Sequence, residues 1–231
     1  MGIDAVVADM NHNNAVNLTK LKAAGCWGII HKARQGVGFA DGAYAARRAA
    51  AEQLGFLWGA YDFATHDVVA DNVADFFATA KPGTDTGMWL DLEDNTKSEM
   101  TGDQAFEFLD RVSQKLGRAC GIYGGNRVRE QVDHQQARWI DMAAVAPLWL
   151  CQYKTGANLR AADLATLDKF IDVPKPWTAY LLLQYTGDGI GPLPHTLPGI
   201  EDGADLNACH LTYDQLAGVW AGKAMAPAAA A

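Results

Sequence analysis

Short apolar runs rich in β-branched and aromatic residues recur along this chain, most of them separated by enough residues for one helix, and this rhythm constrains the fold more than any other feature. The runs fall at residues 5–8, 27–31, 56–63, 87–92, 119–123, 146–153 and 180–185. Segments of helical period lie between the first six, and such alternation implies parallel strands joined by helical crossovers. The helix signals are explicit. Thr101 and Gln104 form a capping box ahead of Ala105, Leu109, Val112 and Leu116, which share one face, and Gly117 follows as the stop. Tyr44, Arg48, Ala51 and Leu54 repeat the design before Gly55, and Val69, Val73, Phe76 and Ala80 repeat it before Pro82. A shorter helix at residues 18–24 ends at Gly25.

After Tyr153 the rhythm breaks. Residues 154–177 are polar, carry Pro174 and Pro176, and offer at most a short helix at 161–170. The run at 180–185 and a segment ending at Asp205 are separated by a Gly- and Pro-rich loop with no room for a crossover helix. The expected fold is therefore α/β, a modified TIM-like barrel of five βα units followed by three strands lacking full crossover helices. A length of 231 residues suits one such barrel. We expect a single domain over residues 1–223, closed by a last helix that Thr212 and Gln215 cap, and an Ala-rich frayed tail at 224–231.

Composition narrows the functional classes. With 49% hydrophobic and 20% charged residues the chain can bury a sizeable core. No apolar stretch is long enough to span a bilayer, and the acidic N-terminus does not read as a signal peptide, so no membrane insertion and synthesis in the cytoplasm are expected. The four cysteines, Cys26, Cys120, Cys151 and Cys209, form no C-x-x-C pair and read as reduced thiols. A net charge of −8 argues against nucleic acid as a partner.

Acids gather where chemistry gathers in parallel barrels, at the C-terminal ends of strands. Asp9 closes the first run, Asp62 sits near the end of the third, Asp91 and Glu93 end the fourth, and Asp205 lies where a final strand ends. In Asp91-Leu92-Glu93 the two carboxylates point to one face and Leu92 to the other. Neighbouring acids push each other's proton affinity apart, which makes a general acid from a glutamate. Taken alone the triplet reads more simply as a turn of solvated acids. Tyr61, Tyr123, Trp149, Tyr153 and Tyr185 fall near the same strand ends, however, and a groove of aromatics and acids suits carbohydrate.

Read in order, these segments resemble a known family. Asp9, Lys32-Ala33-Arg34-Gln35-Gly36, Gly59-Ala60-Tyr61-Asp62-Phe63, Asp91-Leu92-Glu93, Gly121-Ile122-Tyr123, Leu148-Trp149-Leu150-Cys151-Gln152-Tyr153, Leu183-Gln184-Tyr185-Thr186 and Asp205-Leu206-Asn207 are similar to the family 25 lysozymes along nearly the whole chain. The resemblance implies hydrolysis of the β-1,4 bond after N-acetylmuramic acid in peptidoglycan glycan strands, with no metal or cofactor, and a monomer is expected. It implies Glu93 as proton donor, with Asp91, Asp9 and Asp205 as neighbouring carboxylates. Tyr61, Asp62, Tyr123, Trp149, Tyr153 and Tyr185 are the expected substrate-binding residues. Asp91 either attacks directly or orients the substrate's acetamido group. An endolysin of a phage or prophage, released through a holin, fits this pattern, and a dedicated secretion route is the second choice. Three departures stand out: Gly2-Ile3-Asp4 mimics the family opening although spacing favours Asp9, Asp62 replaces the usual His at strand three, and residues 154–177 form a longer stretch.

Two other classes compete. A metal-dependent barrel hydrolase would use strand-end acids with histidines, but His12, His31, His66, His134, His195 and His210 show no paired spacing. A sugar-binding module without catalysis is the second, and the Asp91 and Glu93 pair argues against it.

Overall fold

Every strand of the barrel has a partner on both sides, because the first strand pairs with the second as well as with the last. The computed structural model describes residues 6–134, 136–155, 159–200 and 203–223. Its strands are β1 (Val7–Met10), β2 (Gly28–Gln35), β3 (Phe39–Ala40), β4 (Leu57–Phe63), β5 (Gly87–Asp91), β6 (Gly121–Gly124), β7 (Leu148–Cys151), β8 (Leu182–Thr186) and β9 (Asp205–Ala208). All but β3 belong to the closed barrel, while β3 folds back on the end of β2 as a short hairpin. Strands β1, β2 and β4 to β8 run parallel, and β9 runs antiparallel between β8 and β1.

The crossovers are α1 (Leu18–Ala23), α2 (Tyr44–Gln53), α3 (Val69–Ala80), α4 (Gly102–Leu116) and the pair α5 (Asn126–His134) and α6 (Gln136–Val145). After β7 there is a short turn of helix, α7 (Leu164–Leu167), flanked by 3-10 turns, and the last helix is α8 (Tyr213–Trp220). Five βα units and three strands without full crossovers are thus present. The capping boxes at Thr101 with Gln104 and Thr212 with Gln215 are both formed, each a contribution of about 1 kcal/mol to its helix.

The apolar runs are continuous because both faces of the strands are buried. Ile29, Ala60, Leu90, Ile122, Leu150 and Leu183 face the helices, while Ile30, Tyr61, Trp89, Tyr123, Trp149 and Leu182 alternate with them and fill the barrel. Trp220 of α8 plugs the bottom, donating its indole N–H to the Trp58 carbonyl at 2.8 Å. Gly121 opens β6 without a side chain because a Cβ there would lie 2.1 Å from the Trp89 ring. A filled barrel of this kind leaves its upper end, where the strands' C-termini meet, as the place for a site.

One expectation about the strands is corrected. Asp205 does not end the final strand but begins it, and since β9 runs antiparallel its first residue stands at the same end as the last residues of the parallel strands. Asp4 and residues 224–231 lie outside the described residues. Among those described, no helix is long and apolar enough to cross a membrane. All four cysteines are free thiols, Cys26 and Cys120 buried, Cys151 and Cys209 partly so.

Candidate active site

The upper end of the barrel collects carboxylates from three neighbourhoods. Asp9 is the third residue of β1, Asp91 the last of β5, Glu93 follows two residues on, and Asp205 opens β9 directly across from Asp9. Strand alternation explains the middle pair, since Leu92 turns outward into the core beneath the helices and leaves Asp91 and Glu93 on the inner side. The Asp9 and Asp205 pair costs stability, because like charges directly opposed on antiparallel strands repel.

Neutral donors hold Asp9 in place. The Gln184 amide N–H2 donates to its two oxygens at 3.3 and 3.2 Å, and the Asn207 amide donates to Oδ2 at 2.8 Å. Asn207 in turn accepts the Trp149 indole N–H at 2.5 Å and donates to the Val7 carbonyl. On its other side Gln184 accepts the hydroxyls of Tyr123 at 2.5 Å and Tyr153 at 3.1 Å. The Tyr123 hydroxyl also lies 3.5 Å from Glu93 Oε1. Gly187 makes room for this cluster, since a Cβ there would sit 2.3 Å from the Tyr153 hydroxyl and 2.5 Å from Asp205 Oδ1.

Burial is the first cause of every proton-affinity shift here. It raises the Asp9 carboxyl well above the usual range, Asp205 adds to the rise, and the Asn207 and Gln184 amides oppose it. Asp91 is likewise raised well, by burial and then by Glu93, against the pull of Lys32. Glu93 is raised by burial, a shift that its contact with Tyr123 opposes and Asp94 reinforces. Asp205 is pushed up to about 7 by burial, Asp188 and Glu93. Lys32, whose ammonium lies 4.7 Å over the Phe63 ring and donates to Gln35 at 2.9 Å, is a cation that faces Asp91 and Glu93. A groove of ≈ 570 Å³ runs beside Glu93 between Arg127, Arg129, Tyr153 and Lys154.

The structure distributes the expected binding residues over both sides of the sheet. Tyr61 and Tyr123 face inward, nearly buried, with Tyr61 bonded to the Asn11 side chain, and half-buried Tyr153 borders the groove. Trp149 faces inward but is 1% exposed, packed on Tyr123 with ring centres 4.3 Å apart, so it forms the floor beneath the site. Asp62 and Tyr185 are not brought to this cluster. Both point to the helical side and are fully buried, Tyr185 within the outer apolar layer and Asp62 accepting the Gly36 amide N–H at 3.0 Å. Burial pushes the Asp62 carboxyl up to about 7, with the Gly36 bond and Arg34 opposing.

Sequence reasoning did not single out Gln184, Asn207, Lys32 or Gly187 as site residues. The amides stand within motifs quoted above, but a neutral side chain in an apolar run carries no charge signal. Lys32 was visible as a cation near a strand end, and its direction depends on the barrel's curvature.

A protein with this arrangement has known relatives. Residues 8–192 match the model of the glycosyl hydrolases family 25. Among solved structures, the bacterial lysozyme of Streptomyces coelicolor superposes with a TM-score of 0.77 at 20% identity, covering 95% of this chain and 99% of that one. A muramidase from Trichobolus zukalii gives 0.74 at 20% identity over 95% and 100% of the two chains. The catalytic domain of endolysin ply40 from bacteriophage P40 of Listeria monocytogenes gives 0.65 at 18% identity over 95% and 98%. No curated protein matches the sequence. The match over most of the chain, with the barrel and its cluster of strand-end acids, makes this protein a member of glycosyl hydrolase family 25.

Proposed function

We propose that this glycoside hydrolase is an N-acetylmuramidase that cleaves the β-1,4 bond between N-acetylmuramic acid and N-acetylglucosamine in peptidoglycan. The observation that carries the reading is the placement of Asp91 and Glu93 on one inner face at the end of β5, with Asp9 and Asp205 beside them. Glycoside hydrolysis needs one carboxyl to protonate the leaving oxygen and another to meet the positive charge developing at the sugar's anomeric carbon. Glu93 suits the first role. It borders the open groove, and burial raises its affinity for a proton.

In this reading Glu93 gives its proton to the glycosidic oxygen as the bond to the anomeric carbon breaks, and the freed N-acetylglucosamine end departs as an alcohol. Asp91 faces the same carbon, either forming a glycosyl ester or orienting the substrate's acetamido oxygen to close an oxazolinium ring. Glu93, now a carboxylate, takes a proton from the water that opens the intermediate, which restores the acid and leaves a muramic reducing end. Asp91 Oδ1 has no hydrogen-bond partner among the described residues, so one of its oxygens is uncommitted. Asp9 and Asp205 add negative potential and accept sugar hydroxyls. The protein acts as a monomer on the glycan strands of the wall.

The test is the chemistry of the new reducing ends in digested, borohydride-reduced peptidoglycan. Muramitol is expected from the wild type. A Glu93→Gln variant, which keeps shape and loses the proton, should fold and lose activity by about 10² to 10⁴ or more. Glucosaminitol in place of muramitol, or a folded variant with more than half the wild-type rate, would overturn the reading.

A further inference from the structure

We infer that Gln184 is a positioning residue that supports the anionic form of Asp9 by turning its amide N–H2 to both carboxyl oxygens. The amide stands between two kinds of neighbour. Two hydroxyls, of Tyr123 at 2.5 Å and Tyr153 at 3.1 Å, meet one end, and both oxygens of Asp9 meet the other at 3.3 and 3.2 Å. A carboxylate can only accept, so with Asp9 ionised the N–H2 must turn to Asp9 and the carbonyl to the tyrosines. If Asp9 were protonated it could donate to the carbonyl instead, and the amide would be free to reverse. Orientation of Gln184 and charge of Asp9 are therefore one coupled choice. With both hydroxyl protons donated to the Gln184 carbonyl, the N–H2 is left for Asp9.

This support matters because burial, Asp205 and Glu93 work against the charge of Asp9, and Asn207 is the other donor that favours it. Asp205 faces it from β9, Asp91 and Glu93 from the end of β5, Tyr61 from β4, Tyr123 from β6, and Cys151 with Tyr153 from β7 and the residues after it. Lys32 of β2 acts most strongly on Asp91, then on Asp41, Asp62 and Glu93, and Asp9 is not among its main partners. Among the described residues Glu93 has no comparable amide donor. Its contact is the Tyr123 hydroxyl at 3.5 Å, and that proton is given to Gln184 at the shorter distance. The same hydroxyl thus lies closer to Gln184 than to Glu93, and its contact with Glu93 is the weaker of the two. Gln184 itself is 2% exposed and does not reach the groove, so it acts through its neighbours.

Two substitutions separate this role from packing. Gln184→Met keeps the volume and removes both polar ends. Gln184→Glu keeps the shape and both tyrosine bonds but has no N–H for Asp9. The measurements are the pH profile of kcat/KM on peptidoglycan, which rests on the muramidase reading, and the 13C-carboxyl NMR titration of Asp9, which does not. Both variants should move the acidic limb and the Asp9 titration upward by about one pH unit or more, a tenfold change in proton affinity per unit. The Gln184→Glu shift should be the larger, since it adds a negative charge. An unmoved Asp9 titration in either folded variant, whatever happens to kcat or Tm, would overturn the inference. Inactivity of the wild type on peptidoglycan would instead sink the proposed substrate and leave the Asp9 titration to decide on Gln184.

Discussion

Asp9 and Asp62 are both buried aspartates near the upper ends of strands, and burial raises the proton affinity of both, yet their surroundings differ in kind. Asp9 faces inward among other acids and takes its hydrogen bonds from two side-chain amides. Asp62 faces the helices, and its partners belong to a backbone clamp. It accepts the Gly36 N–H, Arg34 Nε donates to the Gly36 carbonyl at 3.2 Å, and Asp67 accepts the Val37 N–H at 2.9 Å. A shifted carboxyl alone therefore does not mark a catalytic residue. What separates the two is the company of further acids on one side and the fixing of the loop leading to β3 on the other.

Substitutions can break that contrast or sharpen it. The largest effect is expected at Asp9, where Asp9→Asn should lower turnover on purified peptidoglycan at least about tenfold while Tm stays level or rises, since the repulsion with Asp205 is relieved. A variant above half the wild-type turnover would put Asp9 in the same class as Asp62.

The next effect is on stability and follows from the sign of the shifts. The folded Asp62 and Asp205 carboxyls hold protons up to about 7, above their ordinary value of 3.8. The folded state thus binds more protons than the unfolded one between these limits, and stability should fall as pH rises from about 4 through 7. The Asp62 share is up to about 4 kcal/mol at 1.36 kcal/mol per unit. Urea unfolding from pH 4 to 8 should show this decline, and Asp62→Asn should flatten it while activity stays within about twofold. An unchanged slope would mean that Asp62 is not the group being titrated.

The smallest effect is expected at Asp4. Asp4→Asn should leave turnover within about twofold if spacing, which favours Asp9, places the first strand's acid correctly. An inactive Asp4→Asn beside an active Asp9→Asn would overturn the placement of the first strand.

Much of this architecture was legible because its signals are local. Capping residues at Thr101 and Thr212 announce helices whatever surrounds them, and the two-residue repeat places Asp91 and Glu93 together without knowledge of the fold. The side of the sheet taken by Asp62 and Tyr185 was not legible. A strand buried on both faces has no polar alternation to read, so inward and outward positions look alike until neighbouring strands fix them. The direction of β9 was hidden for a related reason, since four residues carry no mark of which way they run. The two-residue β3 falls below any periodic signal.

The reversed last strand has a consequence for when the site can exist. Asn207 reaches Asp9 across 198 residues of sequence, and Asp205 arrives on the same short strand. Contacts of such separation form late, because the chain between them must first be ordered. A nascent chain that has emerged only as far as β8 already holds Asp91 and Glu93, but it has neither the seam that closes the barrel nor Asp205 and Asn207, two of the groups that set Asp9's charge. The acid that faces Asp9 is thereby added with the strand that closes the barrel, after the other strands are in place to withstand the repulsion.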